Sequence, residues 1–567
     1  MIKSYPFYLL IFLIFFQSSA HTRTQTTLDY QSRIHPEIAS DFMVVTQNEH
    51  ATNAGYEILR KGGNAVDASV AVGFALAVTL PRAGNLGGGG FILIYNKEED
   101  EIASIDYRSA APKSATSDLF IDGEEVVRFG HLVNAIPGSV AGLLKAHTDY
   151  GSLPLSDLLK PAIRLAREGF EVTYDLNFVL NWGKESLLAN NTSKEKFYNS
   201  SEDPIAVKSI LKQPKLARTL FMISKKGSDI FYKGEIAKWI SEESLSNGGL
   251  ITLDDLASYK AKNRKPIETS YRGYRIVSMP PSASGGLVLL QTLNILENFN
   301  LKDSGHNSSK TIHILSESMQ RAYADRAEYH GDPDYYDVPV GAILSKKYSQ
   351  DLSNTITEYR TPDGQIFEGE LKKYDESPDT THFSIIDSNG NAVSNTYTLG
   401  SSFGSGVTID KGGFLMNNQM RNFSHFYGKN DAEYGTSEAN KLEPGKRMIS
   451  TQTPTLVFDP NDELMMILGS PGGGRIPNII TQVISNIIDH DMSFTESVMA
   501  PRINQRLEGS LQLETGFSPD TITLLKLKGH KVEKSTTMGS VQAIFLEGDN
   551  IYGVADTRRP GALAKGD

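Results

Sequence analysis

The sequence predicts an α+β fold of stacked β-sheets with helices on their outer faces. One observation is helical periodicity through the first two thirds of the chain, interrupted by short apolar strands. Another is the strand-rich pattern beyond residue 380, with runs at 381–386, 392–397, 413–416, 455–458 and 463–468. Between them lies the one convincing break, the polar, irregular stretch 361–379, which carries Thr361-Pro362-Asp363-Gly364 and Lys372-Lys373 and ends at Asp379.

The elements follow from local chemistry. Residues 52–61 show helical spacing (Ala54, Ile58, Leu59) and stop at Gly62-Gly63. Residues 65–80 read as a buried helix, too short to cross a bilayer and interrupted by Asp67. A glycine run, Gly84 to Gly90, leads into strands at 91–95 and 102–107, the second ending at Arg108. An amphipathic helix at 156–168 has Ser156 as its expected cap and Gly169 as its stop. Another helix is expected at 313–328.

A chain of 567 residues has room for a large core. Its net charge of −11, with no Lys/Arg-rich run, argues against a nucleic-acid surface. With no cysteine, thiolate metal sites, a Cys nucleophile and disulfides are excluded, so a nucleophile must be a hydroxyl, amine or carboxylate. Residues 1–20 read as an export signal: Lys3, an apolar stretch from Tyr8 to Phe16, and the small-residue site Ser18-Ser19-Ala20. A membrane anchor is the alternative, but the apolar core is short for a span. The expected destination is the periplasm or the medium.

Asn389-Gly390 between two alternating runs signals a β-hairpin. With those two residues as the loop, 381 opposes 398, which returns Thr398 beside Thr380. A threonine hydroxyl needs a base. If the bond before Thr380 is cut, the freed α-amine, with an ordinary pKa of about 7.7–8.0, can serve at neutral pH. The plainer reading of the spacing is two threonines opening a strand, where Thr is favoured.

Segments along the whole chain carry a resemblance. They include Gly62-Gly63-Asn64-Ala65-Val66-Asp67-Ala68, Ala83 to Phe91, Pro137-Gly138-Ser139-Val140-Ala141-Gly142, and Pro280-Pro281-Ser282 with Gly285-Gly286. Ala324-Asp325-Arg326 with Gly331-Asp332-Pro333-Asp334 follows, then the stretch from Thr380 to Gly404 and Asn417-Asn418-Gln419-Met420. Gly469-Ser470-Pro471-Gly472-Gly473 and Ala555-Asp556 with Arg558-Arg559-Pro560 complete the set. In this order they resemble the γ-glutamyltranspeptidase (glutathione hydrolase) family.

The resemblance implies a four-layer αββα sandwich of the N-terminal-nucleophile hydrolases, self-cleaved between Asp379 and Thr380. Residues 21–379 would form a large subunit and 380–567 a small one, intertwined as one heterodimer. Thr380 would take a γ-glutamyl group from glutathione or a related amide and pass it to water, an amino acid or a peptide. Neither metal nor organic cofactor is implied.

Matched residue by residue, Arg108 would grip the donor α-carboxylate through paired hydrogen bonds. Ser450 and Thr451 would contact the same carboxylate, Gln419 would lie near the donor α-amino group, and Thr398 would orient Thr380. Gly472 and Gly473 would form the oxyanion hole. The segment 424–445 would be a lid with Tyr434 as its gate. Four positions depart from the family's pattern: Asn422 for Asp, Gly400 for Asn, Ser109 for Glu and Gln452 for Met. Loss of the acid at 422 suggests tolerance of glutaryl-type donors, as used by cephalosporin acylases.

Other readings stay open on residues alone. Arg108 could be a surface ion pair, and the Gly472–Gly473 stretch a plain turn or anion nest. Gly400-Ser401-Ser402-Phe403-Gly404 spells the G-x-S-x-G elbow, which needs a helix straight after the serine. Gly84–Gly90 could suggest dinucleotide binding, but its leading strand and ribose-binding acid are not evident. A binding protein that kept the fold and lost turnover is the non-enzymatic alternative.

Overall fold

The computed structural model describes residues 34–122, 125–366, 380–424 and 437–567. The export segment 1–20, Asp379 and Tyr434 lie outside them. Two seven-stranded antiparallel sheets form the middle of the molecule. In chain order their strands are β1 (Glu37–Ala39), β2 (Met43–Thr46), β3 (Gly89–Asn96), β4 (Glu101–Tyr107), β5 (Lys262–Arg264), β6 (Ile267–Tyr271) and β7 (Tyr274–Ser278). Beyond residue 380 follow β8 (Thr381–Ile386), β9 (Ala392–Thr398), β10 (Thr455–Phe458), β11 (Leu464–Gly469), β12 (Gln542–Glu547), β13 (Asn550–Ala555) and β14 (Leu563–Gly566). One sheet runs β14-β2-β8-β9-β3-β4-β5, the other β1-β13-β12-β11-β10-β7-β6.

Alternation along the strands builds three apolar layers. Met43, Val45, Phe91, Leu93 and Ile386 of the first sheet meet Val277, Leu456, Ile467 and Ile544 of the second. The outer face of the first sheet packs on helices α1 (Glu49–Arg60), α2 (Ala65–Thr79) and α3 (Ser139–Tyr150). The outer face of the second packs on α4 (Ser284–Leu296), α5 (Ser309–Tyr329) and α6 (Ile476–Ile488). The order is αββα, the sandwich expected from the resemblance.

The chain on either side of residue 380 contributes to both sheets. β8 and β9 lie between β2 and β3 in one, and β10 to β13 lie between β1 and β7 in the other.

The structure corrects two expectations and explains one motif. Residues 413–416 form only isolated bridges, Gly87 with Met416 and Thr408 with Leu415, because the Gly412-Gly413 turn (φ +69° at Gly413) breaks the extended run. The helix expected at 156–168 is two pieces, Leu155–Leu158 and Lys160–Glu168, and its cap is Pro154 rather than Ser156. Pro161 lacks an N–H, so it sits in the first turn of the second piece, and Gly169 ends that piece as expected.

The Gly84–Gly90 run is a packing requirement. A Cβ on Gly84 would lie 2.2 Å from the Tyr397 ring, and one on Gly88 2.4 Å from the Thr398 carbonyl oxygen.

Helix α2 is buried on every face, so it has no amphipathic stripe to hold it and depends on its start. Asn64 and Asp67 form a reciprocal capping box. The buried Asp67 carboxylate also accepts from Ser152 N (3.0 Å) and Leu153 N (3.2 Å). Asp67→Ala removes the acceptor of the Asn64, Ser152 and Leu153 N–H groups at once and is expected to destabilise the fold by about 2 kcal/mol, with Asp67→Asn nearer about 1. Urea unfolding followed by circular dichroism checks both values.

Candidate active site

Thr380 stands immediately before β8 and is 4% exposed. The β8–β9 register is one residue tighter than expected: Thr381 pairs with Tyr397 and Ile386 with Ala392. The loop is Ser388-Asn389-Gly390 rather than Asn389-Gly390 alone. Asp387 N donates to Asn391 O (3.0 Å), and the Asp387 carboxylate accepts from Asn389 N (2.9 Å) and Asn391 N (3.0 Å). Gly390 takes φ +81°, the left-handed position of a three-residue hairpin. Carried one step further, this register puts Thr380 directly opposite Thr398.

Thr398 is held from several sides. Its strand pairs it with Gly89 of β3, its Oγ1 accepts from Gly400 N (3.0 Å), and its carbonyl accepts from Gln419 Nε2 (2.7 Å). Gly400 has φ +101°, and a Cβ there would lie 2.3 Å from Asn418 Oδ1. The Asn418 oxygen in turn receives Ser401 N (2.9 Å). With Asn418 in this place there is no room for a side chain at 400. Residues 401–405 continue as turns with no helix behind Ser402, so the G-x-S-x-G elbow is absent.

Arg108 follows the last residue of β4 and is 2% exposed, which removes the surface ion-pair reading. Its Nε donates to Met448 O (3.3 Å), and its Nη2 donates to Ile449 O (3.3 Å) and Asn422 Oδ1 (3.2 Å). The backbone beneath it is fixed by Asp106, whose Oδ1 accepts from Arg108 N (2.9 Å). Asp106 Oδ2 meets the Arg447 guanidinium at 2.8 Å. Burial disfavours the Arg447 charge, but Asp106, Tyr259 and Asp332 together outweigh it and hold that guanidinium's pKa above its ordinary value. Arg447 N donates to Asp332 Oδ2 (2.9 Å), so the Gly331–Asp334 motif is part of this support.

Ser450 and Thr451 follow the Met448–Ile449 carbonyls that hold Arg108. Ser450 is fixed through its backbone, with N donating to Ser282 O (3.1 Å) and O accepting from Ser284 Oγ (3.0 Å). The Thr451 hydroxyl donates to Gly473 O (2.9 Å), tying this segment to the glycine loop.

Gly472 (φ +147°) and Gly473 (φ +55°) lead through a short turn into α6. Gly472 O accepts from Arg475 N (3.2 Å), and Gly474 O accepts from the Tyr323 hydroxyl. Among the described residues, nothing accepts from the N–H of Gly472 or Gly473. Two unclaimed N–H groups at the start of a 13-residue helix suit a developing oxyanion.

The nine predicted positions that lie within the described residues thus form one chain of neighbours: Thr380, Thr398, Gln419 and Asn422, then Arg108, Ser450, Thr451, Gly473 and Gly472. Sequence reasoning gave no role to the side chains that join them. Asn440 is fully buried; its Nδ2 donates to Asn422 O (2.7 Å) and its Oδ1 accepts from Ile449 N (3.1 Å), locking the 419–422 turn to the Arg108 cradle. Asn417 accepts Ala135 N (3.0 Å) and donates to Gly87 O (2.7 Å), fixing the same turn from below. Only the Asn-rich composition of these loops hinted at such bracing.

His382, two residues after Thr380, is no alternative base. It is fully buried, with Nδ1 2.7 Å from Thr396 Oγ1 and Nε2 3.1 Å from Ser384 Oγ, and burial lowers its pKa to about 3. Among the described residues the one cluster with metal-ligand spacing is His313, Glu317 and His530. Its atoms are already engaged: Glu317 by Arg321 (2.9 Å) and Thr361 Oγ1 (2.6 Å), and His313 by His530 (2.8 Å) and Thr357 O (2.8 Å). It braces the fold without touching the site residues.

Comparison with known proteins bears on the family and the fold. A family model described as gamma-glutamyltranspeptidase matches residues 51–566. The chain is 44% identical over 543 residues to the glutathione hydrolase proenzyme of Escherichia coli (strain K12), covering 94% of this chain and 93% of that protein. It is 34% identical over 551 residues to the acylase ACY 1 proenzyme of Pseudomonas sp. (strain SE83), covering 94% and 95%. Among solved structures it superposes on the cephalosporin acylase from Bacillus halodurans with a TM-score of 0.84 at 28% identity, over 96% of this chain and 99% of that one. Helicobacter pylori gamma-glutamyltranspeptidase gives 0.54 at 41% identity, over 57% of this chain and 95% of that one.

The buried His382 makes stability depend on pH. Its folded pKa of about 3 lies below the ordinary value of 6.5, so the unfolded chain binds the extra proton between those values. Its contribution is complete above pH 6.5 and is lost as pH falls toward 3, by at most about 1.4 kcal/mol per pH unit. Urea midpoints at pH 7.5, 6 and 5 are expected to fall more steeply for the natural chain than for His382→Gln.

Proposed function

The chain belongs to the gamma-glutamyltranspeptidase family, and we propose that it is an exported, self-processing acyl-transfer enzyme with Thr380 as its nucleophile. The observation that carries this reading is the β8–β9 register, which sets Thr380 opposite Thr398. Within the same chain of neighbours lie the unclaimed N–H groups of Gly472 and Gly473.

The proposed maturation needs no cofactor. The Thr380 hydroxyl adds to the carbonyl of Asp379 and the peptide C–N bond breaks, leaving an ester on Oγ1 and a free α-amine. Water then hydrolyses the ester, releasing residues 21–379 as the large subunit and 380–567 as the small one. The segment 1–20 is removed as the export signal.

In turnover, the Thr380 amine takes the proton from its own Oγ1, which attacks the γ-carbonyl of a donor such as glutathione. Thr398 orients the hydroxyl, and the N–H groups of Gly472 and Gly473 stabilise the oxyanion. The ammonium returns its proton to the leaving amine as the C–N bond breaks. The acyl-ester is then released to water or to an amino acid or peptide amine. Arg108, Ser450 and Thr451 bind the donor carboxylate, and Gln419 and Asn422 line the side that meets its α-nitrogen.

Asn422 gives the second reading its footing. A neutral amide 3.2 Å from the Arg108 guanidinium offers the donor ammonium no counter-charge, which weakens the requirement for that ammonium and would let glutaryl-type donors be tolerated.

Intact mass and N-terminal sequencing test the first reading. The natural chain is expected as two polypeptides, the smaller beginning at Thr380, while Thr380→Ala stays uncut and inactive. A natural chain that remains one band without donor hydrolysis would instead support a binding protein. For the second reading, Asn422→Asp is expected to lower KM for γ-glutamyl-p-nitroanilide about tenfold relative to glutaryl-p-nitroanilide, the worth of one charge-assisted hydrogen bond. A natural chain that already prefers γ-glutamyl as strongly as that variant would remove it.

A further inference from the structure

Residues at and beside the proposed donor-binding positions carry buried polar atoms that the protein itself leaves unmatched. Gln452 lies two residues beyond Ser450 and is 1% exposed, yet neither its Nε2 nor its Oε1 has a hydrogen-bond partner. Its backbone is fixed, with N donating to Ser450 Oγ (3.4 Å), so its place beside the proposed carboxylate-binding serine is set. Gln419 spends its Nε2 on Thr398 O and keeps Oε1 unpaired. The Ser109 hydroxyl, also unpaired, lies against Gly89, the residue opposite Thr398.

Unmatched buried polar groups are rare, because each loses its water without compensation. Here three belong to residues at or next to the proposed site positions, and two stand where the family's pattern has a different side chain: Ser109 for an acid and Gln452 for a thioether. An α-amino-acid head group has a carboxylate that accepts and a nitrogen that donates. A carboxamide offers the matching pair, an N–H for the first and a C=O for the second.

We infer that Gln452 is a donor-specificity residue whose carboxamide, with the Gln419 oxygen, reads the donor's α-amino-acid head group through neutral hydrogen bonds. It takes over from the carboxylate missing at position 422. This rests on the proposed function and refines it: the pocket keeps some preference for a donor α-nitrogen, carried by dipoles rather than by a charge.

The test compares the mature natural enzyme with Gln452→Met and Gln452→Glu on γ-glutamyl- and glutaryl-p-nitroanilide, reading KM and kcat separately. Gln452→Met is expected to raise KM for the γ-glutamyl donor about tenfold while KM for the glutaryl donor moves less than twofold. Gln452→Glu is expected to restore the preference for the γ-glutamyl donor, now with a charge. A mature Gln452→Met enzyme with an unchanged KM ratio overturns the inference. If that variant does not mature, an unchanged ratio in Gln452→Glu overturns it instead. A natural chain that turns over neither donor brings down the function and this inference together, whereas an unchanged ratio in an active enzyme removes only the inference.

Discussion

Between β2 and β3 runs a hairpin, β8 and β9, whose register is locked at its turn by one side chain. Asp387 gathers Asn389 N, Asn391 N and the amide of Asn391, and its second oxygen receives Ala65 N at the start of α2 (2.9 Å). A slip of one residue would turn every side chain of the hairpin to the opposite face. Phe383, Ile385 and Val393 would leave the helix-facing core, and Ser394 would lose the Leu468 carbonyl across the sheets. The alignment of Thr380 with Thr398 is therefore fixed by the Asp387 turn and by packing along the strand pair, and not by the two threonines themselves.

The second constraint is a buried charge. Asp106 is fully buried, anchors the backbone of Arg108 and pairs with Arg447, which holds Asp332 through its own backbone. Removing one partner of such a cluster would leave a buried charge unpaired, a loss of several kcal/mol (about 3–5). Three segments distant in sequence thus converge on one cation–anion contact, and the proposed donor site inherits its rigidity from it.

Much of this was legible in the sequence, for reasons that differ by residue. Helix α2 followed from the apolar run at 65–80, and the hairpin from the turn chemistry of Asn389-Gly390. The register was read one residue too wide because a Gly that follows Asn fits both two- and three-residue loops, and the choice lies in the Asp387 side chain. The strand expected at 413–416 failed because the Gly412-Gly413 turn breaks its extended run. Asn417, Asn418 and Asn440 could not be placed from sequence, since bracing by amides depends on which loops meet. Gln452 was visible only as an unusual residue; that both ends of its amide are unmatched is a fact of packing.

The sharing of both sheets between the two parts of the chain also bears on reversibility. Before a cut at Thr380, all fourteen strands belong to one polymer, and their assembly is a unimolecular search. Afterwards β8 must find β2, and β10 must find β7, on a separate molecule. Refolding then becomes second order in protein, and dilution no longer leaves it unaffected. A matured enzyme of this construction persists by the slowness of its unfolding rather than by equilibrium with a chain that can try again.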